Sequence, residues 1–171
     1  MGKVIGFMEQ GIGASRRAVF LAGVHDGVPI ALGYFVVAFT LGILAKTAGL
    51  TPWQGFVTSA VNIASAGEYA GFTVIAAQAP YLEIAVLTLV ANARYFLMAA
   101  ALTQRFAPET SLLHRLAVSF GVTDEIFGIT VARGGALNPY YNYGAMAISV
   151  PAWAAGTSAG ILAGGILPAA A

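Results

Sequence analysis

The chain has 171 residues, 58% of them hydrophobic and only 9% charged, with a formal net charge of +1. A soluble domain carries about a quarter charged residues because its surface must face water, so this composition excludes an ordinary soluble fold. The eight Lys and Arg are scattered singly or in pairs, which argues against a nucleic-acid-binding face, and the absence of cysteine excludes disulfides, thiol catalysis and thiolate metal sites.

A membrane crossing takes roughly 20 residues, so this length holds about five crossings in one membrane domain over 1–171. Residues 3–17 place Val4, Ile5, Phe7, Met8 and Ile12 among Lys3, Glu9, Gln10, Arg16 and Arg17, the pattern of a short helix lying at the interface. Apolar segments follow at about 19–45, 53–78, 81–103, 116–133 and 140–167. Trp53, Tyr81, Tyr140, Tyr141 and Tyr143 fall at their edges, where amphipathic rings favour the headgroup layer. The first segment contains His25 and Asp26, which sets it apart from a cleaved signal peptide. The expectation is an all-α, polytopic transmembrane helical bundle.

In the first segment, His25-Asp26-Gly27-Val28-Pro29 predicts a helix break, because proline lacks a backbone donor and disfavours helix in the residue before it. In the second, Asn62, Ser65, Gly67 and Glu68 sit near the middle, and irregular backbone at depth is tolerated only where it lines a cavity or is buried in protein. A broken or re-entrant second segment also improves the charge balance. Five simple crossings with the N-terminus inside put Lys3, Arg16, Arg17 and Arg133 in the cytoplasm against Lys46, Arg105 and Arg115 outside; a re-entrant second segment moves Arg105 and Arg115 inside, against Lys46 and Arg133. A cytoplasmic N-terminus is the expectation. Glycines spaced by four at Gly23/Gly27, Gly67/Gly71 and Gly156/Gly160/Gly164 let helix backbones meet closely, and Gly156-Thr157-Ser158 reads as a further break in the fifth segment.

Of seven acids, Asp26, Glu68, Asp124 and Glu125 lie inside apolar segments, together with His25 and one base, Arg94. Ionised groups at a helix centre cost a few kcal/mol each, about 2.5–3.5 on the lenient insertion scale, so pairing, protonation or water must compensate them. Arg94 can neutralise only one acid, and the surplus makes the others candidates for proton or charge relay. Asp124 and Glu125 are adjacent and point about 100° apart on a helix, so they cannot share one partner. Thr123 adds a hydroxyl for the preceding turn or for a ligand.

A faint internal symmetry pairs segments one and four, each with a titratable pair (His25-Asp26, Asp124-Glu125), and segments two and five, each with a tryptophan (Trp53, Trp153) and a small-residue break. Transporters built from inverted repeats place substrate between broken helices at mid-depth, which implies an inverted three-segment repeat whose last segment is missing.

Five motifs in chain order, Gly27-Val28-Pro29-Ile30-Ala31-Leu32-Gly33-Tyr34-Phe35, Ser65-Ala66-Gly67-Glu68-Tyr69-Ala70-Gly71, Asn92-Ala93-Arg94-Tyr95-Phe96-Leu97-Met98, Thr123-Asp124-Glu125-Ile126-Phe127 and Trp153-Ala154-Ala155-Gly156-Thr157, resemble the AzlC family of branched-chain amino acid permeases. The resemblance implies a secondary transporter subunit of the bacterial inner membrane that exports valine, leucine or related small neutral amino acids and works with a small AzlD-type membrane subunit; the surplus of acids adds the expectation of proton coupling, and a homo-oligomer is the alternative assembly. The resemblance implies no cofactor and no metal. Two departures stand out: Glu68 occupies the place of a glutamine usual in the family, and family sequences continue beyond Gly165–Ala171, so a truncated chain or an end supplied otherwise is expected.

An amino acid then needs an ammonium partner, for which Glu68 or Asp124 is suited; backbone donors for its carboxylate near Ser65 and Gly67, with Asn92 and Thr123 as polar neighbours; and an apolar pocket shaped by Phe35, Phe72 and Phe127. Glu125 or Asp26 would exchange a proton. The alternative is a channel or facilitator for a small polar or cationic solute, with the acids setting cation preference. The missing nucleophile elbow, His-x-x-x-His pair and phosphate loop argue against an enzyme.

Overall fold

The computed structural model describes residues 15–166, and the interfacial helix expected over 3–17 lies outside them except for its last three positions. Seven helices and no strand are present among the described residues: α1 Arg16–Thr47, α2 Pro52–Val61, α3 Ser65–Ala76, α4 Tyr81–Arg105, α5 Leu112–Phe120, α6 Asp124–Val131 and α7 Pro139–Gly164. Three of them, α1, α4 and α7, are long and apolar enough to cross a membrane. The protein is an all-α helical membrane protein.

Local chemistry sets the boundaries. α1 ends where Gly49, at φ 81°, reverses the chain, with Leu50 N–H donating to Ala45 O and Gly49 N–H to Lys46 O. α2 starts at once on a capping box: Thr51 Oγ1 accepts from Gln54 N–H, the Gln54 side chain accepts from Thr51 N–H at 2.8 Å, and Pro52 occupies the first helical position, where its missing donor costs nothing. α3 ends on the same kind of reversal as α1, here with Gln78 at φ 53° and Ala79 N–H bonded to Val74 O, and Pro80 leads into α4.

The second and fourth apolar segments are each two half-helices. The interruption predicted in 53–78 falls at 62–64, between α2 and α3, and a second interruption at 121–123 divides α5 from α6. The breaks predicted at Gly27–Pro29 and Gly156–Thr157 are corrected: both stretches lie inside continuous helices. Pro29 removes one bond, to the His25 carbonyl, but a membrane helix keeps its course when neighbours hold it. Gly23 and Gly27 supply that hold by lying flush against α7 at Tyr141, Ala145 and Ile148. Gly156 and Gly160 likewise let α7 meet α1 at Phe35, Ala38, Phe39 and Gly42. These glycines serve approach, not interruption.

The described residues pack as two compact units, one within Met1–Ile30 and Tyr95–Ile148, the other within Ala31–Arg94 and Ser149–Ala171. The first unit has a core of Leu102, Phe106, Val118, Val122 and Leu137, against which Tyr95, Met98, Phe127 and Tyr143 pack. Two arginines clasp its loops. Arg105 donates to Val131 O at 2.9 Å and to Arg133 O at 2.7 Å, and Arg115 donates to Thr103 O, Ala107 O (2.9 Å) and Thr110 O (3.0 Å). Bonds from a charged donor to half-buried carbonyls are worth about 1.5–3 kcal/mol, so Arg115→Met should lower the thermal midpoint in detergent clearly, whereas the exposed Arg17→Met should not. The second unit holds Glu68 and is built around the α1–α7 seam.

Candidate functional site

The break between α2 and α3 opens a site in the second unit. The chain leaves α2 at Asn62, whose N–H closes on Thr58 O at 2.8 Å, passes Ile63 and Ala64, and re-enters helix at Ser65. Ala64 provides no side-chain cap. The first intrahelical bond of α3 runs from Glu68 N–H to Ala64 O, which leaves the N–H groups of Ser65, Ala66 and Gly67 without helical acceptors. Such a terminus carries roughly half a positive charge and suits a carboxylate. α6 differs: Thr123 Oγ1 accepts from Ile126 N–H at 3.3 Å, and Asp124 and Glu125 occupy its first turn, so this terminus is met by its own sequence.

Beside the α3 terminus lie two amides. Asn92 Nδ2 donates to Asn62 Oδ1 at 3.2 Å, and a Cβ on Gly67 would stand 2.9 Å from Asn92 Nδ2, so only glycine leaves room for this pair. Asn92 Oδ1 is buried with no hydrogen-bond partner, an acceptor directed at the break without a donor.

Glu68 is 1% exposed. Trp153 Nε1–H donates to its Oε1 at 2.6 Å and Ser59 Oγ–H to its Oε2 at 3.0 Å. Ser59 Oγ also lies 2.8 Å from Thr157 Oγ1. Each hydroxyl carries one proton, so the chain that serves the carboxylate runs from Thr157 to Ser59 to Glu68. Tyr34 holds the indole edge-on, with ring centroids 5.3 Å apart. No basic side chain among the described residues pairs with Glu68. The carboxylate is thus aligned by neutral donors among the described residues.

The first unit answers Asp26 differently. Tyr141 OH donates to Asp26 Oδ2 at 2.7 Å, Arg133 Nη1 lies 3.6 Å from the same oxygen, and His25 Nδ1 is 3.1 Å from Oδ1. Arg133 also stacks on the Tyr141 ring at 4.2 Å. The basic partner of Asp26 is therefore Arg133, not Arg94.

Of the residues singled out from sequence, Ser65, Gly67, Glu68, Phe72, Asn92 and Arg94 fall in the second unit with Phe35, Gly156 and Thr157, whereas His25, Asp26, Gly27, Pro29, Thr123, Asp124, Glu125 and Phe127 fall in the first. Gly67, Asn92 and Glu68 are brought together around the break. The three phenylalanines are not one cluster: Phe72 is buried in α3, Phe35 is 40% exposed, and Phe127 packs on the first unit's core. Asp124 and Glu125 are exposed. Sequence reading missed Ser59, Trp153 and Tyr34 as partners of the site, and Tyr141 and Arg133 as partners of Asp26. Trp153 did carry a signal, because an indole N–H deep in an apolar helix needs an acceptor.

The family model for the AzlC protein matches residues 29–167. The chain belongs to the AzlC family. This AzlC chain is 30% identical over 156 residues to an uncharacterized membrane protein of Archaeoglobus fulgidus, covering 90% of the chain and 66% of the relative. It is 31% identical over 121 residues to the inner membrane protein YgaZ of Escherichia coli, covering 70% of the chain and 49% of the relative. It thus spans less than two thirds of the length of either relative. No solved structure matches it. Membership in AzlC is consistent with a role in membrane transport, which points away from an enzyme.

Proposed function

We propose that the chain forms the substrate-binding part of a secondary transporter that exports a branched-chain or related small neutral amino acid across the bacterial inner membrane, coupled to protons and assembled with a small AzlD-type subunit or a second copy of itself. The observation that carries this reading is Glu68, a buried carboxylate served only by neutral donors, next to an uncapped half-helix terminus and the orphan acceptor Asn92 Oδ1. A zwitterion complements all three: its carboxylate meets the N–H groups of Ser65, Ala66 and Gly67, and its ammonium meets Glu68 and Asn92. Phe72, one turn beyond Glu68 on α3, supplies apolar surface. The printed name of YgaZ supports the inner membrane as location, the resemblance supplies direction and partner, and the acids inside the apolar segments are the basis for proton coupling.

Proteoliposomes loaded with valine, leucine, alanine, lysine or glutamate test this. The expected result is saturable counterflow of the neutral aliphatic amino acids, dependent on a proton gradient, and lost in Glu68→Gln. Unchanged flux in Glu68→Gln overturns the site, and non-saturable cation flux replaces the carrier by a channel.

A further inference from the structure

Three helix N-termini of the first unit meet at one place. α1 begins with Arg16 and Arg17; α5 carries His114 as its third residue; α7 opens with Pro139, Tyr140, Tyr141 and Asn142, followed by Tyr143. The Arg16 guanidinium lies over the Tyr140 ring at 5.3 Å. His114 Nδ1 is 2.7 Å from Tyr143 OH, and the His114 ring lies 5.8 Å from Tyr140 and 5.7 Å from Tyr143. Tyr140 and Tyr143 pack edge to face. The cluster thus joins two tyrosines and a histidine, mutually tilted, with a guanidinium over the Tyr140 ring.

Its charge has no carboxylate partner among the described residues. Neither Arg16 nor Arg17 is in an ion pair among the described residues, both are exposed, and Glu109, the acid in the loop before α5, makes no ion pair there either. The Arg16 guanidinium and the partial positive ends of three helices therefore meet at this cluster, and the exposed Arg17 is its chain neighbour. Other arginines of this unit are already spent, Arg105 and Arg115 on backbone carbonyls and Arg133 on Asp26. Position selects the guest. α1 and α7 are long and apolar enough to cross a membrane, and tyrosines at the ends of such helices favour headgroup depth. The anion available at that depth is a lipid phosphate.

We propose that Arg16, Arg17, His114, Tyr140 and Tyr143 form a binding site for the phosphodiester headgroup of an anionic phospholipid. Arg16 and Arg17 supply the charge, with the planar fork of Arg16 already oriented by Tyr140, and the Tyr140 hydroxyl is available to donate to a phosphate oxygen. The site does not depend on the transport reading.

The test uses the full chain in nanodiscs of phosphatidylcholine with increasing phosphatidylglycerol, with retained lipid counted by native mass spectrometry and the thermal midpoint read in parallel. The wild-type protein should retain phosphatidylglycerol and gain stability as its fraction rises. Affinity should fall about fivefold for each arginine removed in Arg16→Gln and Arg17→Gln, and the double replacement by lysine should recover most of it, which excludes a folding defect. Inorganic phosphate added to phosphatidylcholine discs should produce no shift. Equal phosphatidylglycerol retention in the wild type and the Gln double variant overturns the proposal, as does saturation by inorganic phosphate alone.

Discussion

Trp153→Phe should reduce saturable amino-acid flux by about 10- to 100-fold in proteoliposomes while the helices remain folded. The exchange keeps an aromatic ring beside Tyr34 and removes the donor that holds Glu68 Oε1 at 2.6 Å, together with part of the buried indole volume. A hydrogen bond to a charged group is worth about 1.5–3 kcal/mol, and each 1.4 kcal/mol is tenfold, hence the range. A buried carboxylate that loses one of two donors turns toward whatever donor remains, here Ser59, and leaves the position from which it can meet an ammonium. Ser59→Ala should do the same from the other oxygen. Because both variants act on one carboxylate, the double variant should lose far less than the sum of the single losses. Wild-type flux in Trp153→Phe would show that the indole merely fills space.

Glu68→Gln isolates charge from shape. The indole of Trp153 can only donate, so the glutamine must present its carbonyl oxygen there and its amide NH2 to Ser59. Ser59 can accept, turning its own proton to Thr157 Oγ1 at 2.8 Å. The cluster accommodates glutamine without an orphan, so the variant should fold at least as stably as the wild type and fail through the missing charge. Glutamine, which the resemblance leads one to expect at this position, is thus compatible with the same set of partners.

How far the sequence could carry this reading depends on the range of the interactions involved. The all-α membrane class follows from composition, and the break at 62–64 from Asn62, Ser65, Gly67 and Glu68 in one apolar stretch, since these are local facts about backbone and desolvation. The partners of Glu68 were not legible: Trp153 lies 85 positions away and Thr157 is reached through Ser59 on α2, contacts that only the fold creates. Pro29 and Gly156 misled for the opposite reason. Local rules price the lost hydrogen bond or the flexible backbone, and the close helix crossings at Gly27 and Gly156 outweigh that price. The partner of Asp26 was not legible either: it is Arg133, which reaches back from the loop after α6 and gains a tyrosine face as well.

Gly160→Ala should destabilise the protein by about 3 kcal/mol, the upper part of the usual range for overpacking, and lower its thermal midpoint by several degrees. A Cβ at Gly160 would run into the Phe39 carbonyl and stand 2.9 Å from Gly42 Cα, and a Cβ at Gly42 would stand 2.8 Å from Gly160 Cα, so the two backbones touch with nothing flexible between them. An added methyl can be accommodated only by separating α1 from α7 along this seam. α7 carries Trp153 two turns and Thr157 one turn before Gly160, so the separation also draws the Glu68 donors out of register, and flux should fall with stability. Gly33→Ala is the control on the same helix pair's outer surface: nothing lies within 4 Å of its Cβ, and alanine is favoured over glycine inside a helix by up to about 1 kcal/mol, so this variant should be neutral or slightly stabilised. Equal thermal midpoints for Gly160→Ala and Gly33→Ala would refute the α1–α7 crossing, and with it the placement of Trp153 over Glu68.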